Sequence, residues 1–449
     1  MSFKYQAVKQ SEGKWLLEKG VSTPITIFMN QNLFDASEEE MWRQATWATS
    51  IPSVQKIVIT PDAHAGAGVP VGVVVATKDY IAPCAAGYDI SCGMLSIKTG
   101  LTADKIESKE SRRAFMKALE DRVALGAGHH RAPKQKHITH DKFIEILQNG
   151  LLALGIHKGV LSNFEKSHHR VTNFVNYEKA YNRGSVQLGS LGGGNHFLEL
   201  QQSVKGEVWV MIHTGSRGYG HQIATDFFNE GLEWWNNSHE EKLEKKDKEK
   251  ISFPVDSDIG KRYLNAMNQA ANFALANRYL IAQAVMEVLN ELFGDNSEVF
   301  YEISHNLVQY EDGLWVHRKG ATRAFPAGHP MLADTKFKDT GHPVLIPGSM
   351  GTSSAILMPQ AGAVESVYSV NHGCGRVMSR NNAKRTFDQL MVNKEMDDMG
   401  ILYNDRNVPI DESKGCYKAI DEVLDTVETA GLAKVIETLY PRAVIKGTD

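Results

Sequence analysis

One short stretch, Pro83–Met94, constrains this chain more than any other, because it places Asp89 and Cys92 between two glycines. A carboxylate and a thiol three residues apart can converge on one point if the backbone turns there. Carboxylate oxygen and thiolate sulfur suit a borderline divalent ion such as Mn, Fe, Co or Zn, and a thiolate can bridge two such ions. Two ligands are not a site, and a buried cysteine beside a turn aspartate is the simpler interpretation of this stretch alone.

Histidines in matching contexts favour the metal interpretation. The segments Glu207–His213 and Val299–His305 are each predicted to form a strand that ends in a histidine. A third histidine, His196, follows a run of glycines whose backbone can approach a ligand closely. A single histidine at a strand end is more often a hydrogen-bonded core residue, but here the arrangement recurs, with Cys92 as its first instance. Polar side chains that strands deliver into loops are typical of active sites.

A second candidate segment precedes the Asp89 turn. The strand predicted over Lys56–Thr60 runs into a glycine-rich turn, Pro61–Gly68, that carries Asp62 and His64. The next strand is predicted over Val69–Thr77. Turn chemistry alone would account for the aspartate and the histidine, and a place in an active site is the alternative.

Several later loops carry the residue types that bind phosphate. The loop His317–Arg323 gathers three fixed cations, and Gly348–Ser354 can offer backbone amides and hydroxyls. The second loop is not a Walker A motif, because no Gly-Lys-Ser/Thr follows. Asn371–Arg376 places a histidine and an arginine among glycines, with Arg380 one helical turn further on. The basic loop His129–His137 could contact a phosphate backbone, but a solvated surface loop is the simpler interpretation.

Bulk properties exclude several classes of protein. The net charge of the 449 residues is −4, so nucleic-acid binding would need local basic patches rather than a global field. The four cysteines form no CxxC pair, which argues against a disulfide scaffold and for a reducing compartment. The N-terminal segment lacks an apolar signal-peptide core, and no apolar run reaches transmembrane length. We therefore expect a cytoplasmic protein with no membrane partner.

The remaining expectations concern organisation. A long helix is predicted over Tyr263–Phe293, with Asn277 and Arg278 exposed to a site. Residues 236–252 are the most polar run and are interpreted as a surface insertion without chemistry. The tail Ser413–Gly447 is interpreted as two short helices. Candidate site residues run from position 62 to 446 without a low-complexity linker, so we expect one catalytic domain over residues 1–449, with its motif core at about 50–447.

Ten motifs, in order, resemble the RtcB family of RNA ligases over about residues 50–447. They read PDAHAGAGVPVG, GYDISCGM, LGGGNHFLEL, HTGSRGYGH, ANR, SHN, HRKGATRAFP, LIPGSMGTSS, VNHGCGRVMSR and VIKG. The resemblance implies an α+β fold of mixed sheets flanked by helices. It also implies a GTP- and manganese-dependent enzyme that joins RNA ending in a 2′,3′-cyclic phosphate or 3′-phosphate to RNA with a 5′-hydroxyl, in RNA repair or tRNA splicing. An archease-like activator assists some members.

The resemblance also implies a metal site with two manganese ions. Cys92 would bridge both ions, with Asp89 and His196 completing one shell and His213 and His305 completing the other.

Further roles follow from the same resemblance. His372 would be the nucleophile that takes GMP, and Asp62 matches an acidic position in the same site. Phosphate handling is implied for Lys319, Arg217, Arg376 and Arg380. The implied guanine-nucleotide contacts are Asn195, His196, Phe197, Glu199, His305, Asn306, Pro347, Gly348, Ser349, Met350, Ser354, His372, Gly373, Cys374, Gly375, Tyr417 and Lys446.

The chain departs from the expected motifs at Ala63, Ala67, Tyr88, Ser91 and Cys374. Ser91 stands where glycine is expected, and Cys374 stands where alanine is usual. None of the five is an implied metal ligand or the nucleophile. The departures indicate a divergent branch of the family.

Two other functions stay open on the residues themselves. A binuclear metallohydrolase, such as a cyclic phosphodiesterase that opens 2′,3′-cyclic ends without joining them, would use the same ligands but leave His372 idle. A non-catalytic RNA-binding subunit is disfavoured by the near-neutral charge and the absence of aromatic-rich RNA-binding motifs. Lysine-nucleophile ligases carry Lys-x-Asp-Gly, and the nearest match, Tyr310–Gly313, has no lysine.

Overall fold

A computed structural model describes residues 3–128, 131–164 and 169–447. Two large sheets with helices packed against them confirm the expected α+β fold. None of the helices in these ranges combines the length and the apolar character that crossing a lipid bilayer requires. Two residues of the predicted basic loop, His129 and His130, lie outside the described residues.

The α-helices in the described ranges are α1 (Gln31–Ala36), α2 (Glu39–Ala48), α3 (Lys109–Glu120), α4 (His140–Asn149), α5 (Lys158–Leu161), α6 (Glu178–Gln187), α7 (Arg217–Ser238), α8 (Asp258–Phe293), α9 (Arg380–Thr386), α10 (Gln389–Asp398) and α11 (Ile420–Thr429). The strands are β1 (Val8–Ser11), β2 (Lys14–Leu17), β3 (Ile25–Phe28), β4 (Val54–His64), β5 (Val71–Thr77), β6 (Tyr80–Ile81), β7 (Gly93–Thr102), β8 (Ala124–Leu125), β9 (Ser190–Gly192), β10 (Phe197–Ser203), β11 (Glu207–Thr214), β12 (Phe253–Pro254), β13 (Glu298–Ser304), β14 (Asn306–Glu311), β15 (Leu314–Lys319), β16 (Ala321–Arg323), β17 (Val344–Ile346), β18 (Ser354–Pro359), β19 (Ser369–Asn371), β20 (Leu402–Tyr403) and β21 (Ala433–Ile445).

The chain passes between two large sheets at a single residue. A seven-stranded sheet has the order β1-β2-β3-β4-β5-β15-β14, and an eight-stranded sheet has the order β13-β7-β11-β10-β21-β18-β17 with β20 beside β21. β13 ends at Ser304 and β14 begins at Asn306. His305 is therefore the residue at which the chain passes from one sheet to the other.

Local sequence explains the main elements. β5 reads VGVVVAT and is buried along almost its whole length, as expected for β-branched residues in a central strand. α8 begins after Ser257, whose side chain accepts from the Gly260 amide, and ends at Gly294 in the left-handed conformation.

The prediction that Asn277 and Arg278 face a site was wrong. Both side chains are fully buried, because α8 is covered by apolar contacts around most of its circumference. Arg278 donates from Nη1 to the carbonyl oxygens of Ser91 (2.7 Å) and Thr214 (2.9 Å), and its other nitrogen pairs with buried Glu302. The arginine thus holds the backbone beneath the Asp89–Cys92 turn.

Two expectations about organisation need correction. The tail contains a short 3₁₀ helix (Lys414–Cys416) and one α-helix, α11, and its last part is the 13-residue strand β21 rather than helix. The polar run 236–252 is mostly exposed, as expected, but Ile251 and Ser252 are buried. Glu249 in this run also accepts a hydrogen bond from the hydroxyl of Tyr88. The insertion therefore packs onto the turn that precedes Asp89.

Candidate active site

The register of the eight-stranded sheet brings several strand ends to one edge. Gly93, the first residue of β7, pairs with Thr214 on one side and with Ser304 on the other. Their sequence neighbours are three candidate ligands, Cys92, His213 and His305. Antiparallel pairing therefore places the three ligands side by side, which is the convergence that the strand-end pattern predicts.

Five candidate ligands form two sets that share one sulfur. Cys92, His213 and His305 form one set, and Asp89, Cys92 and His196 form the other, with the donor atoms of each set within 4.8 Å of one another. The Cys92 sulfur lies 3.2 Å from Nε2 of His213 and 3.4 Å from Nε2 of His196. Nε2 of His196 is also 3.0 Å from a carboxylate oxygen of Asp89.

The proton arrangement of these side chains fits divalent cations. Nδ1 of His213 lies 3.1 Å from the carbonyl oxygen of Asn195, which can only accept, so Nδ1 carries the proton and Nε2 presents a lone pair. Nε2 of His305 faces this lone pair at 3.4 Å. Burial lowers the pKa of both imidazoles well below the usual value, which keeps them in the neutral, ligating form.

The acidic members of the cluster respond differently to their surroundings. Burial, with the Asp89 carboxylate nearby, raises the pKa of the Cys92 thiol well above its usual value. Burial also acts to raise the pKa of Asp89, but the hydrogen bond and charge of His196 outweigh it and lower that pKa to about 2. A bound cation would favour the thiolate and offset its desolvation. Carboxylate, thiolate and imidazole donors are together suited to transition metals.

His372, which is partly exposed, pairs with buried Asp62 beside this cluster. Nδ1 of His372 lies 2.6 Å from one carboxylate oxygen of Asp62, and the His372 amide donates to the same oxygen at 3.2 Å. The hydroxyl of Thr60 donates to the other oxygen at 2.6 Å. Because the carboxylate accepts from Nδ1, the Nε2 lone pair of His372 is free for chemistry. The rings of His372 and His305 are 4.8 Å apart.

Close backbone contacts hold Asp62 in place. A Cβ at Gly375 would lie 1.9 Å from the Asp62 carbonyl oxygen, and Gly375 has a φ of +75°, so only glycine fits there. Lys418 donates to the carbonyl oxygens of Pro61 (3.1 Å) and Ala63 (2.7 Å). Burial lowers the pKa of Lys418 to about 8.

A cavity of about 310 Å³ opens over His372 and over the five candidate metal ligands, which we call the metal-type cluster. Its volume is within the range of small-molecule sites. It brings together most of the residues that the family resemblance implies: Asp89, Cys92, Asn195, Phe197, Glu199, His213, His305, Asn306, Lys319, Pro347, Gly348, Ser349, Met350, His372, Gly373, Cys374, Gly375, Arg376, Arg380, Tyr417 and Lys446.

Four implied residues do not line this cavity. Asp62 and His196 lie behind its wall, each bonded to a residue that does line it. Ser354 accepts from the Gly348 amide at 3.2 Å and so acts on the loop that lines the cavity. Arg217 donates to the Gly126 carbonyl at 2.8 Å and to the Ser190 hydroxyl at 3.2 Å, away from the cavity wall.

The loop expected to gather three cations is part of two strands. Lys319 faces the cavity and donates to the carbonyl oxygens of Ala67 and Val69, at 2.5 and 3.0 Å. Its neighbour Arg318 points the other way and forms a two-pronged pair with Glu311, at 2.7 and 2.8 Å. Alternation along β15 therefore separates the cations, and only the lysine lines the cavity. Burial lowers the pKa of Lys319 to about 8.

Sequence reasoning missed Glu412, a buried carboxylate at the far side of the cavity. The hydroxyl of Tyr417 donates to it at 2.6 Å, and Arg380 pairs with it at 2.9 Å. Arg376 and Lys446 approach it at 3.4 and 3.6 Å. The only sequence signal was an acidic pair shortly before Tyr417, a pattern common on protein surfaces. The glutamate fixes four implied contacts at once.

Glu199 and Lys446 occupy the same end of the cavity. Burial raises the pKa of Glu199 to about 8, although Gln201 donates to its carboxylate at 2.8 Å. Burial lowers the pKa of Lys446. This end therefore offers both an acceptor and a donor within an enclosed space.

Two departures from the expected motifs have a structural setting. Ser91 has a φ of +58°, which explains why glycine is expected at this position. Its hydroxyl lies 2.7 Å from that of Ser304. Cys374 lines the cavity with its thiol directed at the Pro347 carbonyl, 3.7 Å away.

Fold and cavity together define a class: an α+β protein with a candidate centre for two metal ions beside a histidine paired with a buried aspartate. A family model described as "tRNA-splicing ligase RtcB" matches residues 44–447. A protein named tRNA-splicing ligase RtcB from Thermococcus kodakarensis is 33% identical over 96% of this chain and 96% of its own length. The chain therefore belongs to the RtcB family.

Other relatives agree with this assignment. A tRNA-splicing ligase RtcB from Nanoarchaeum equitans is 34% identical, with 96% of both chains covered. An RNA-splicing ligase RtcB homolog from Entamoeba histolytica is 32% identical over 95% of this chain and 90% of its own length.

Proposed function

We propose that this protein is an RNA ligase that uses GTP and manganese to join RNA with a 2′,3′-cyclic phosphate or 3′-phosphate end to RNA with a 5′-hydroxyl end, in RNA repair or tRNA splicing. Membership of a family named for RNA splicing supports the ligase class. The observation that carries the proposal is the pairing of His372 with Asp62 next to two candidate metal-ligand sets in one cavity.

The first step in this proposal guanylates His372. Its Nε2 lone pair attacks the α-phosphorus of GTP, a nitrogen–phosphorus bond forms, and pyrophosphate leaves. Nδ1–H remains hydrogen-bonded to Asp62, which stabilises the positive charge that develops on the ring. The attacking nitrogen carries no proton, so this step requires no further base.

Guanine would lie at the Glu199 end of the cavity. The N1–H and N2–H groups of guanine are donors that match the Glu199 carboxylate, and its O6 is an acceptor that matches the Lys446 ammonium. The Pro347–Met350 loop would enclose the nucleotide, since its residues line the same wall. Ser354 and Asn195 support this arrangement through the Gly348 amide and through Nδ1 of His213.

We propose that each ligand set would hold a manganese ion, and Cys92 belongs to both sets. When bound, the ions would withdraw charge from phosphate oxygens. Lys319, Arg376 and Arg380 line the cavity and would add fixed positive charge there. Water would first open a 2′,3′-cyclic end to a 3′-phosphate. An oxygen of the 3′-phosphate would then attack the phosphorus of the His372 adduct, the nitrogen–phosphorus bond would break, and GMP would become the leaving group that the 5′-hydroxyl displaces. Arg217 would act from behind the wall by holding the glycine loop near His196.

The organisation of the enzyme follows from the same picture. Proposed site residues come from both large sheets and from position 62 to 446, so we propose one catalytic domain. The four cysteines are all free and buried, which supports a reducing compartment, and we place the enzyme in the cytoplasm. An archease-like protein is the activator we propose to test first.

The test is an end-joining assay with synthetic RNA. We expect RNA with a 3′-phosphate or cyclic phosphate to be joined to RNA with a 5′-hydroxyl only when GTP and Mn²⁺ are both present, and His372→Ala to abolish joining. His157→Ala is the matched control, because this exposed histidine caps no amide with its side chain. Opening of the cyclic end without GTP, and without any joined product, would contradict the ligase proposal and support the metallohydrolase.

A further inference from the structure

His64 lines the cavity, and the proposed function gives it no role. It is the last residue of β4, and its Nδ1 lies 3.0 Å from the carbonyl oxygen of Asp62. A carbonyl oxygen only accepts, so Nδ1 carries the proton and Nε2 keeps its lone pair. No donor among the described residues is bonded to this Nε2.

Asp62 therefore presents two imidazoles to the same cavity. Its carboxylate holds His372 and its carbonyl holds His64. The register of β4 against β5 shifts between Ile59 and His64, so this segment departs from a regular ladder. Lys418 fixes the segment through the carbonyls on either side of Asp62. The position of the His64 ring is thus built into the fold rather than left to a free loop.

The first and last chemical steps, guanylation of His372 and joining of the RNA ends, differ in the protons that they release. Attack by His372 on GTP releases none from the attacking nitrogen, whereas attack by an RNA 5′-hydroxyl releases one. The three imidazoles of the metal-type cluster face sulfur, carboxylate or one another. Lys319 and Tyr417 each donate to an acceptor of the protein. Apart from His372, whose Nε2 is assigned to the attack on GTP, His64 is the cavity-lining imidazole among the described residues that keeps an unoccupied nitrogen.

We propose that His64 is the general base of the RNA-joining step, a role that rests on the proposed ligase function. Nε2 of His64 takes the proton of the RNA 5′-hydroxyl while the hydroxyl oxygen forms a bond to the phosphorus of the 3′-phosphate. The bond from that phosphorus to the GMP phosphate oxygen breaks, and GMP leaves with the electron pair. The imidazolium then returns its proton to solvent.

The partial burial of His64 is compatible with this role. Burial lowers the pKa of His64 to about 4, so the ring is neutral and ready to accept before RNA binds. Anionic phosphates beside the ring favour its charged form and raise its basicity when the substrates are in place. General bases of this kind contribute on the order of 10²- to 10⁴-fold to a rate.

Two substitutions separate this role from a structural one. His64→Asn keeps an amide nitrogen near the place of Nδ1, so the hydrogen bond to the Asp62 carbonyl is retained while Nε2 is removed. His64→Ala leaves a space that free imidazole can enter. His157→Asn and His157→Ala are the matched controls on an exposed histidine.

The experiment measures two rates with full-length protein, GTP, Mn²⁺ and synthetic RNA strands. We expect His64→Asn to form the GMP adduct on His372 within about twofold of wild type, but to join RNA at least 100-fold more slowly while GMP-capped RNA accumulates. Added imidazole should restore joining to His64→Ala in proportion to its free-base concentration.

Joining at the wild-type rate in His64→Asn would overturn the proposal, and so would equal losses of both steps or no rescue by imidazole. If wild-type protein forms no GMP adduct and joins no RNA, the ligase function itself fails. That result differs from a defect confined to the His64 variants.

Discussion

Replacing Asp62 by asparagine tests the buried carboxylate that activates His372. The carboxylate accepts three hydrogen bonds, from Nδ1 and the amide of His372 and from the Thr60 hydroxyl. In Asp62→Asn the amide oxygen can still accept from Nδ1. The new NH₂ group can donate to the Thr60 oxygen, whose own hydroxyl can turn to the Gly72 carbonyl at 3.0 Å. The fold should therefore survive while the negative charge is lost.

The size of the expected effect follows from that charge. A hydrogen bond to a charged group is worth about 1.5–3 kcal/mol. Losing this stabilisation of the developing imidazolium should slow guanylation of His372 by about 10- to 150-fold. If the asparagine turned its NH₂ group to Nδ1, the histidine would adopt the wrong tautomer, and losses of about 10⁴-fold are known for such inversions in catalytic triads.

The assay follows the GMP adduct by intact mass over time, with thermal unfolding recorded in parallel. Asp256→Asn is the matched control, because Asp256 is exposed and lies outside the cavity lining. We expect unchanged guanylation in the control and a slow, measurable rate in Asp62→Asn. A wild-type rate in a folded Asp62→Asn protein would refute the assignment of Asp62 as the group that activates His372.

Three further predictions concern other parts of the site. Cys92→Ser removes the sulfur atom shared by both ligand sets, so equilibrium dialysis should show fewer than two bound Mn²⁺ per chain. The control is Cys416→Ser, which changes a buried cysteine outside the cavity lining and should keep both ions. Glu199 is neutral in the free protein below pH about 8, whereas bound guanine needs the carboxylate, so nucleotide binding should release a proton. Affinity for GTP should therefore rise by up to about tenfold per pH unit below pH 8 and level off above it. If calorimetric titration of Glu199→Gln showed the same pH dependence of GTP affinity, the role of Glu199 in binding guanine would be contradicted. Arg278→Met removes the guanidinium that pairs with the buried Glu302 carboxylate and should lower the free energy of unfolding by about 3–5 kcal/mol, seen as a lower urea midpoint. An unchanged midpoint would show that the pair does not stabilise the fold.

The metal-type cluster was predictable because it depends on local patterns. Each ligand next to Gly93, Thr214 or Ser304 lies at or beside the end of a clear strand, and antiparallel register aligns those strand ends. The same logic would have corrected the cation loop, since alternation along a strand sends Arg318 and Lys319 to opposite faces. The error came from interpreting that segment as a loop.

Other features depend on tertiary contacts that no local pattern carries. Glu412 becomes part of the site only because α9 and the segment before α11 meet around it. β21 was interpreted as helical, although it is a strand that contains Pro441. The structure places that proline at a register shift between β10 and β21, where a missing amide is tolerated. Arg278 was interpreted as a site residue because the sequence pattern marked only one face of the long helix as apolar. Such a pattern does not show that the other faces of the helix are buried as well.

The measurement that tests the central claim most directly is the intact mass of the protein after incubation with GTP and Mn²⁺. The account predicts a gain of one GMP that is labile to acid, absent without Mn²⁺ and absent in His372→Ala. Peptide mapping should place the adduct on His372. No gain in protein with both ions bound, or an equal gain in His372→Ala, would contradict the account.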